Sequence, residues 1–91
     1  MAEHTYTVVL MREEDGGYSV SVPALKGCHT QGDTLVEALL MAEDAIRLYL
    51  EVLQEDGKPI PPDNPDIKID MRDTEEALVY KLTIREAVKV G

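Results

Sequence analysis

The chain has no tryptophan and no phenylalanine, a single cysteine, and nine basic residues against eighteen acidic ones. Each shortage closes something off. With four tyrosines as its only aromatics, the core has to be built mainly from aliphatic side chains. One cysteine, Cys28, cannot make an internal disulfide, and the opening "MAEHTYTVVLMREE" lacks the basic stretch and unbroken apolar run of a secretory signal. Both features point to a reducing cytoplasm. No apolar run approaches the roughly 18–20 residues that cross a bilayer, so membrane insertion is not expected. The formal charge of −9 repels phosphate backbones and favours a basic partner.

What is present reads as one small domain. Ninety-one residues allow a single core, with roughly 60–65% of the unfolded surface buried on folding. Residues 5–22 predict a hairpin. "TYTVVLMR" places Tyr6, Val8 and Leu10 on one strand face, "EEDGG" carries an Asp-Gly turn, and "YSVSVP" alternates Tyr18, Val20 and Val22 inward. Pro23 ends the second strand, Gly27 permits a turn, and "CHTQ" gives a short third strand over 28–31 that Gly32 breaks. Thr34 followed by Glu37 is a capping box opening a helix over 34–56, with Leu35, Ala38, Leu39, Ala42, Ile46, Tyr49, Leu50 and Leu53 along one face. Gly57 stops it. The proline-rich stretch 57–66 is an extended connection, "IKIDM" alternates weakly, and residues 78–85 form a last strand with Leu78, Tyr80, Leu82 and Ile84 on one side. The fold class is α+β: β-β-β-α-β, a mainly antiparallel sheet with one long helix across one face.

Catalytic chemistry finds little support. Cys28 and His29 are neighbours on a strand and point to opposite faces, so they cannot pair as a dyad, and His4 is the only other imidazole. One Cys and two His lack a closed zinc spacing. The carboxylates do not converge from strand interiors as a two-metal nuclease requires. Glu13, Glu14 and Asp15 lie at a hairpin tip, while Glu37, Asp44, Glu51 and Glu55 follow one helical ridge opposite the core stripe. The glycines fall where strands reverse, and no GxxxxGK spacing follows them. No catalytic residue, metal or cofactor is expected.

The run "DGGYSVSVPALKGCHTQGDTLVEALLMAEDAIRLYL" followed by "EDGKPIPP" resembles the N-terminal domain of the HicB antitoxin family. A Gly-Tyr hairpin start, a Pro-x-Leu-x-Gly-Cys turn, a Gly-Asp-Thr helix start and a Pro-Ile-Pro exit occur in that order over roughly residues 6–62. The resemblance implies a partial ribonuclease-H-like fold without that enzyme's catalytic acids. It also implies a partner, a small basic HicA-type toxin that cleaves messenger RNA and that the antitoxin silences. Family members commonly carry a C-terminal DNA-binding domain. The chain ends at "KLTIREAVKVG", so operator binding is not expected of it.

Two surfaces carry the binding expectations. For the toxin, the acids Asp44, Glu51 and Glu55 on the helix are favoured over Glu13, Glu14 and Asp15 at the tip, because a helix fixes their spacing. For a homo-oligomer, a dimer or pair of dimers, the apolar excess offers Met41, Leu48 and Val52 beside the core stripe, or Val9 and Met11 on the sheet face turned from the helix. The alternatives are a small metal-dependent nuclease on the same fold and a solitary oligomeric scaffold with no toxin.

Overall fold

The computed structural model describes residues 3–64, 66 and 76–85. Strands β1 (Glu3–Arg12), β2 (Tyr18–Ser21) and β3 (His29–Gly32) precede the helix α1 (Leu35–Glu55), and β4 (Ala77–Arg85) follows it. The sheet is antiparallel throughout, in the order β3-β2-β1-β4. The hairpin, the helix and the last strand lie where the alternation and the capping box place them. "IKIDM" and the last six residues fall outside the described residues.

The helix begins because Thr34 is extended and its hydroxyl accepts the Glu37 N–H at 3.1 Å. It ends at Asp56, where the chain turns into the left-handed conformation of Gly57, φ +67°. Ala38, Ala42, Ile46 and Leu50 are buried at its centre line, against Tyr6, Val8, Leu10, Val20 and Ile84 from the sheet.

Gly32 corrects the sequence reading. It does not break the third strand but is its last paired residue, opposite Tyr18. A Cβ there would lie 2.5 Å from the Ala38 backbone nitrogen. Only glycine lets the strand run this close beneath the first helical turn.

The helix is set off-centre. It lies nearest β3, with less of it over β2 and β4. The consequence shows in cross-strand pairs: Leu10, Val8 and Tyr6 are fully buried, while their partners Leu78, Tyr80 and Leu82 are only half-buried.

Strand β1 is buried on both faces. Thr7 and Val9, turned away from the helix, are 2% and 5% exposed. On that side β2 accompanies β1 only from Val9 to Arg12, and the connection after α1 occupies the space beside the earlier residues. Tyr6 donates its hydroxyl to the Pro61 carbonyl at 2.7 Å. Asp63 Oδ1 accepts the Thr7 backbone N–H at 2.7 Å, and its Oδ2 accepts the Thr7 hydroxyl at 2.8 Å and the Lys81 ammonium at 3.2 Å. A carboxylate thus takes the donor that a neighbouring strand would have used.

Candidate functional site

The outer side of α1 carries both acidic and apolar exposed side chains. At about 3.6 residues per turn, Asp44, Glu51 and Glu55 run along the ridge facing away from the sheet, with Glu37 ahead of them, and all four are exposed. Leu48 lies four residues after Asp44 and three before Glu51; Val52 lies three before Glu55; Met41 lies three before Asp44. These three apolar side chains are exposed as well, Leu48 at 62%. The acidic ridge and the apolar flank, read from sequence as two separate surfaces, are therefore one interleaved face. It overhangs the β3 side of the sheet, where Tyr49 donates its hydroxyl to the Lys26 carbonyl at 2.9 Å.

The flank of α1 beside this ridge, toward β4, differs. Val36, Leu40, Glu43 and Arg47 follow one another at helical spacing. Arg47 pairs with Glu43 at 2.7 Å and reaches the Arg85 carbonyl of β4 at 3.0 Å. Arg47 is the only base on a helix that carries five acids. Val36 and Leu40 are exposed. The sequence reading missed this pair, although both fall opposite the buried helical positions and a helical projection would have found them.

The hairpin tip is ordered by its own bonds. Glu13 N–H donates to the Gly17 carbonyl at 2.8 Å, Gly16 N–H to the Glu13 carbonyl at 3.0 Å, and Gly17 N–H to Asp15 Oδ1 at 3.1 Å. Asp15 thus spends one oxygen on the turn, and Glu13 and Glu14 project from it exposed. The tip adjoins the strand end near Gly32 and the start of α1, whereas Glu51 and Glu55 lie in the last turns of a helix about 30 Å long. The two acidic clusters do not form a single patch.

The far face carries a shallow cavity of about 290 Å³ lined by Val9, Met11, Val22, Pro23, Leu25 and His29, among others. Met11 is half-buried there. Val9 lies on the face expected of it, but the expectation that it stands exposed as a contact residue is corrected by its burial.

Among the described residues no three His, Cys, Asp or Glu side chains stand close enough to hold a metal ion. Cys28 is buried in the core, where desolvation pushes its thiol up, and His29 beside it is exposed. Burial also raises the Tyr6 phenol, with the Asp63 charge adding to it. For Asp63, burial works to raise the carboxyl, but the Thr7 backbone and hydroxyl bonds and the Lys81 ammonium outweigh it and hold the group below the usual carboxylate range. Its side chain is 19% exposed, and its partners are structural. No described helix is long and apolar enough to cross a membrane.

Known proteins place this arrangement. A UPF0150 protein of Thermoplasma acidophilum is 51% identical over 61 residues, which is 67% of this chain and 88% of that protein. The antitoxin HicB 1 of Photorhabdus laumondii is 47% identical over 60 residues, covering 66% of this chain and 39% of that protein. Among solved structures, the N-terminal domain of Burkholderia pseudomallei antitoxin HicB superposes with a TM-score of 0.68 at 18% identity, over 90% of this chain and 99% of that one. A chain of a HicA3–HicB3 toxin–antitoxin complex gives 0.67 at 23% identity, again over 90% and 99%. These two share the fold. The family model for the HicB-like antitoxin of bacterial toxin–antitoxin systems matches residues 6–90, and to that family the chain belongs.

Proposed function

We propose that this protein is a non-enzymatic antitoxin that binds and neutralises a HicA-type, messenger-RNA-cleaving toxin, and that it does so through the outer face of α1. The observation that carries the reading is the composition of that face. Glu37, Asp44, Glu51 and Glu55 line it with no base among them, and Met41, Leu48 and Val52 are threaded between. An RNA-binding toxin presents cations where phosphates would lie, and carboxylates at fixed helical spacing occupy those positions. The apolar residues supply a dry centre, and the acids supply rim and steering.

Charge also decides against the other occupant of this face. A second copy docked two-fold on the same ridge would set carboxylates against carboxylates. Each such pair costs about 1 kcal/mol at 4 Å in bulk water and several times more where solvent is excluded. A basic partner reverses the sign of every one of those terms. The tip acids Glu13, Glu14 and Asp15 are a secondary contact in this reading, since Asp15 already serves the turn. The single buried thiol suits a cytoplasmic setting.

The test is capture of the purified cognate toxin, followed by stopped-flow and calorimetry. Asp44→Lys/Glu51→Lys is expected to slow association and flatten its salt dependence, and Met41→Glu/Leu48→Glu to speed dissociation, each with the helix intact by circular dichroism. Unchanged capture and neutralisation in both variants would remove α1 from the interface.

A further inference from the structure

Arg47, the one base on α1, has two carboxylates to choose from. Glu43 stands four residues before it, on the flank toward β4, and Glu51 stands four residues after it, on the acidic ridge. At that spacing either is within reach on a helix surface. The guanidinium takes Glu43. One nitrogen donates to that carboxylate at 2.7 Å, and the other donates at 3.0 Å to the carbonyl of Arg85, the last residue of β4. Among the described residues no ion pair reaches Asp44 or Glu51. We infer that Arg47 is a positioning residue that ties the charge of the ridge to the end of β4: held by the Arg85 carbonyl, it is kept off Glu51, and the ridge stays open to the cations of a partner. The inference rests on the proposed function and names how its binding face is regulated.

Two effects set the choice. An acid that precedes a base by four residues pairs better on a helix than one that follows it, which favours Glu43 slightly. The carbonyl adds a second bond on the same side, because Glu43 lies toward β4 and Glu51 away from it. The strand end is fixed in turn on the far face of the sheet, where the Arg85 side chain meets Glu3 of β1 at 3.0 Å. If that end lifts, the carbonyl leaves with it and Glu51 competes with Glu43 on nearly equal terms. A cation of the chain's own, seated on Glu51, then opposes those of a basic partner. The Arg47 and Glu43 side chains are 41% and 40% exposed, so solvent screens the pair and the arrangement tunes affinity by a small factor. The coupling is reciprocal: a basic ligand on the ridge keeps Arg47 on β4 and thereby holds the strand end in place.

The experiment is a mutant cycle read with an octalysine peptide at low salt, where exposed charges are least screened. Arg85→Gly loosens the strand end and cuts its tie to Glu3, Arg47→Met removes the guanidinium, and circular dichroism verifies the fold of each. Arg85→Gly is expected to weaken peptide binding by about two- to fivefold, although the loss of a base makes the protein more acidic. Glu3→Gln, which cuts only the side-chain tie, should do the same to a smaller degree. The weakening should vanish when Arg85→Gly is combined with Arg47→Met, and also when it is combined with Glu51→Gln, which places it on the ridge. Bound peptide should slow hydrogen exchange at the end of β4 in the wild type and not in Arg47→Met. A wild type that does not bind the peptide, binding that Arg85→Gly leaves unchanged or strengthens, or a weakening that persists without Arg47 would each overturn the assignment. None of these readouts involves a toxin, so the result is read separately from the proposed function.

Discussion

The two faces of the sheet are closed in opposite ways. The near face is covered by twenty-one residues of helix, whose buried side chains are all apolar. Among the described residues, the far face of β1 is bonded chiefly through one side chain, the Asp63 carboxylate, with two bonds to Thr7 and one to Lys81. The first closure spreads over many weak contacts and has no protonation state. The second is concentrated in one group and does. A small domain can therefore be sealed on one side by area and on the other by chemistry, and the two should fail under different stresses.

The largest effect is expected on the near face. Ile46→Ala removes a fully buried side chain from the centre of the helix–sheet contact and should lower unfolding stability by about 2–5 kcal/mol, the usual range for such cavities. Urea titration at two pH values checks it, and the loss should be the same at both.

The position of that helix was legible because amphipathic spacing, Thr34 and Gly57 all agree. The acidic ridge was legible for the same reason, since whatever opposes a core stripe faces solvent. The Asp63 contact was not. It joins residues 56 positions apart, and nothing in "PPDNPD" distinguishes a carboxylate that bonds a strand from one that bonds water. Nor could periodicity reveal that α1 lies off-centre, because the stripe fixes which side of a helix is buried but not which strands lie beneath it. The burial of Val9 follows from the same limit: alternation assigns a face, and long-range packing decides what covers it. Gly32 was misread because a glycine at a strand end signals a turn and a close approach equally well.

Asp63→Ala is next in size. It leaves the Thr7 N–H without its carboxylate partner in a residue only 2% exposed, and should cost about 1–3 kcal/mol. Unlike the first, this loss depends on pH, and the sign follows from linkage. The folded-state value of Asp63 lies below the ordinary 3.8, so its contribution is fully present above that value and disappears as pH falls through the depressed one. The stability gap between wild type and Asp63→Asn should hold from neutral pH down to about 4 and then close. A gap that stays constant into stronger acid would show that the far face is not held by charge.

The smallest effect belongs to Lys81→Met. Its side chain is 59% exposed, and exposed ion pairs contribute about 0.2–1 kcal/mol. The measurement is salt dependence: the wild type should lose this increment in high salt and the variant should have none to lose. If Lys81→Met instead matched Asp63→Ala, the ammonium rather than the Thr7 bonds would be the main anchor.

The sheet order carries a consequence for how the chain folds. The pairings β1–β2 and β2–β3 are local, but β1 must also find β4, with Thr5 meeting Thr83 across 78 positions. Loop-closure entropy makes the near pairings early and the distant one late. Until β4 arrives, the most apolar strand of the protein offers one complete side of its hydrogen-bonding ladder to any passing strand. The folded protein conceals that side completely, so the interval between hairpin formation and the docking of β4 is when the chain is most open to mispairing and to proteases.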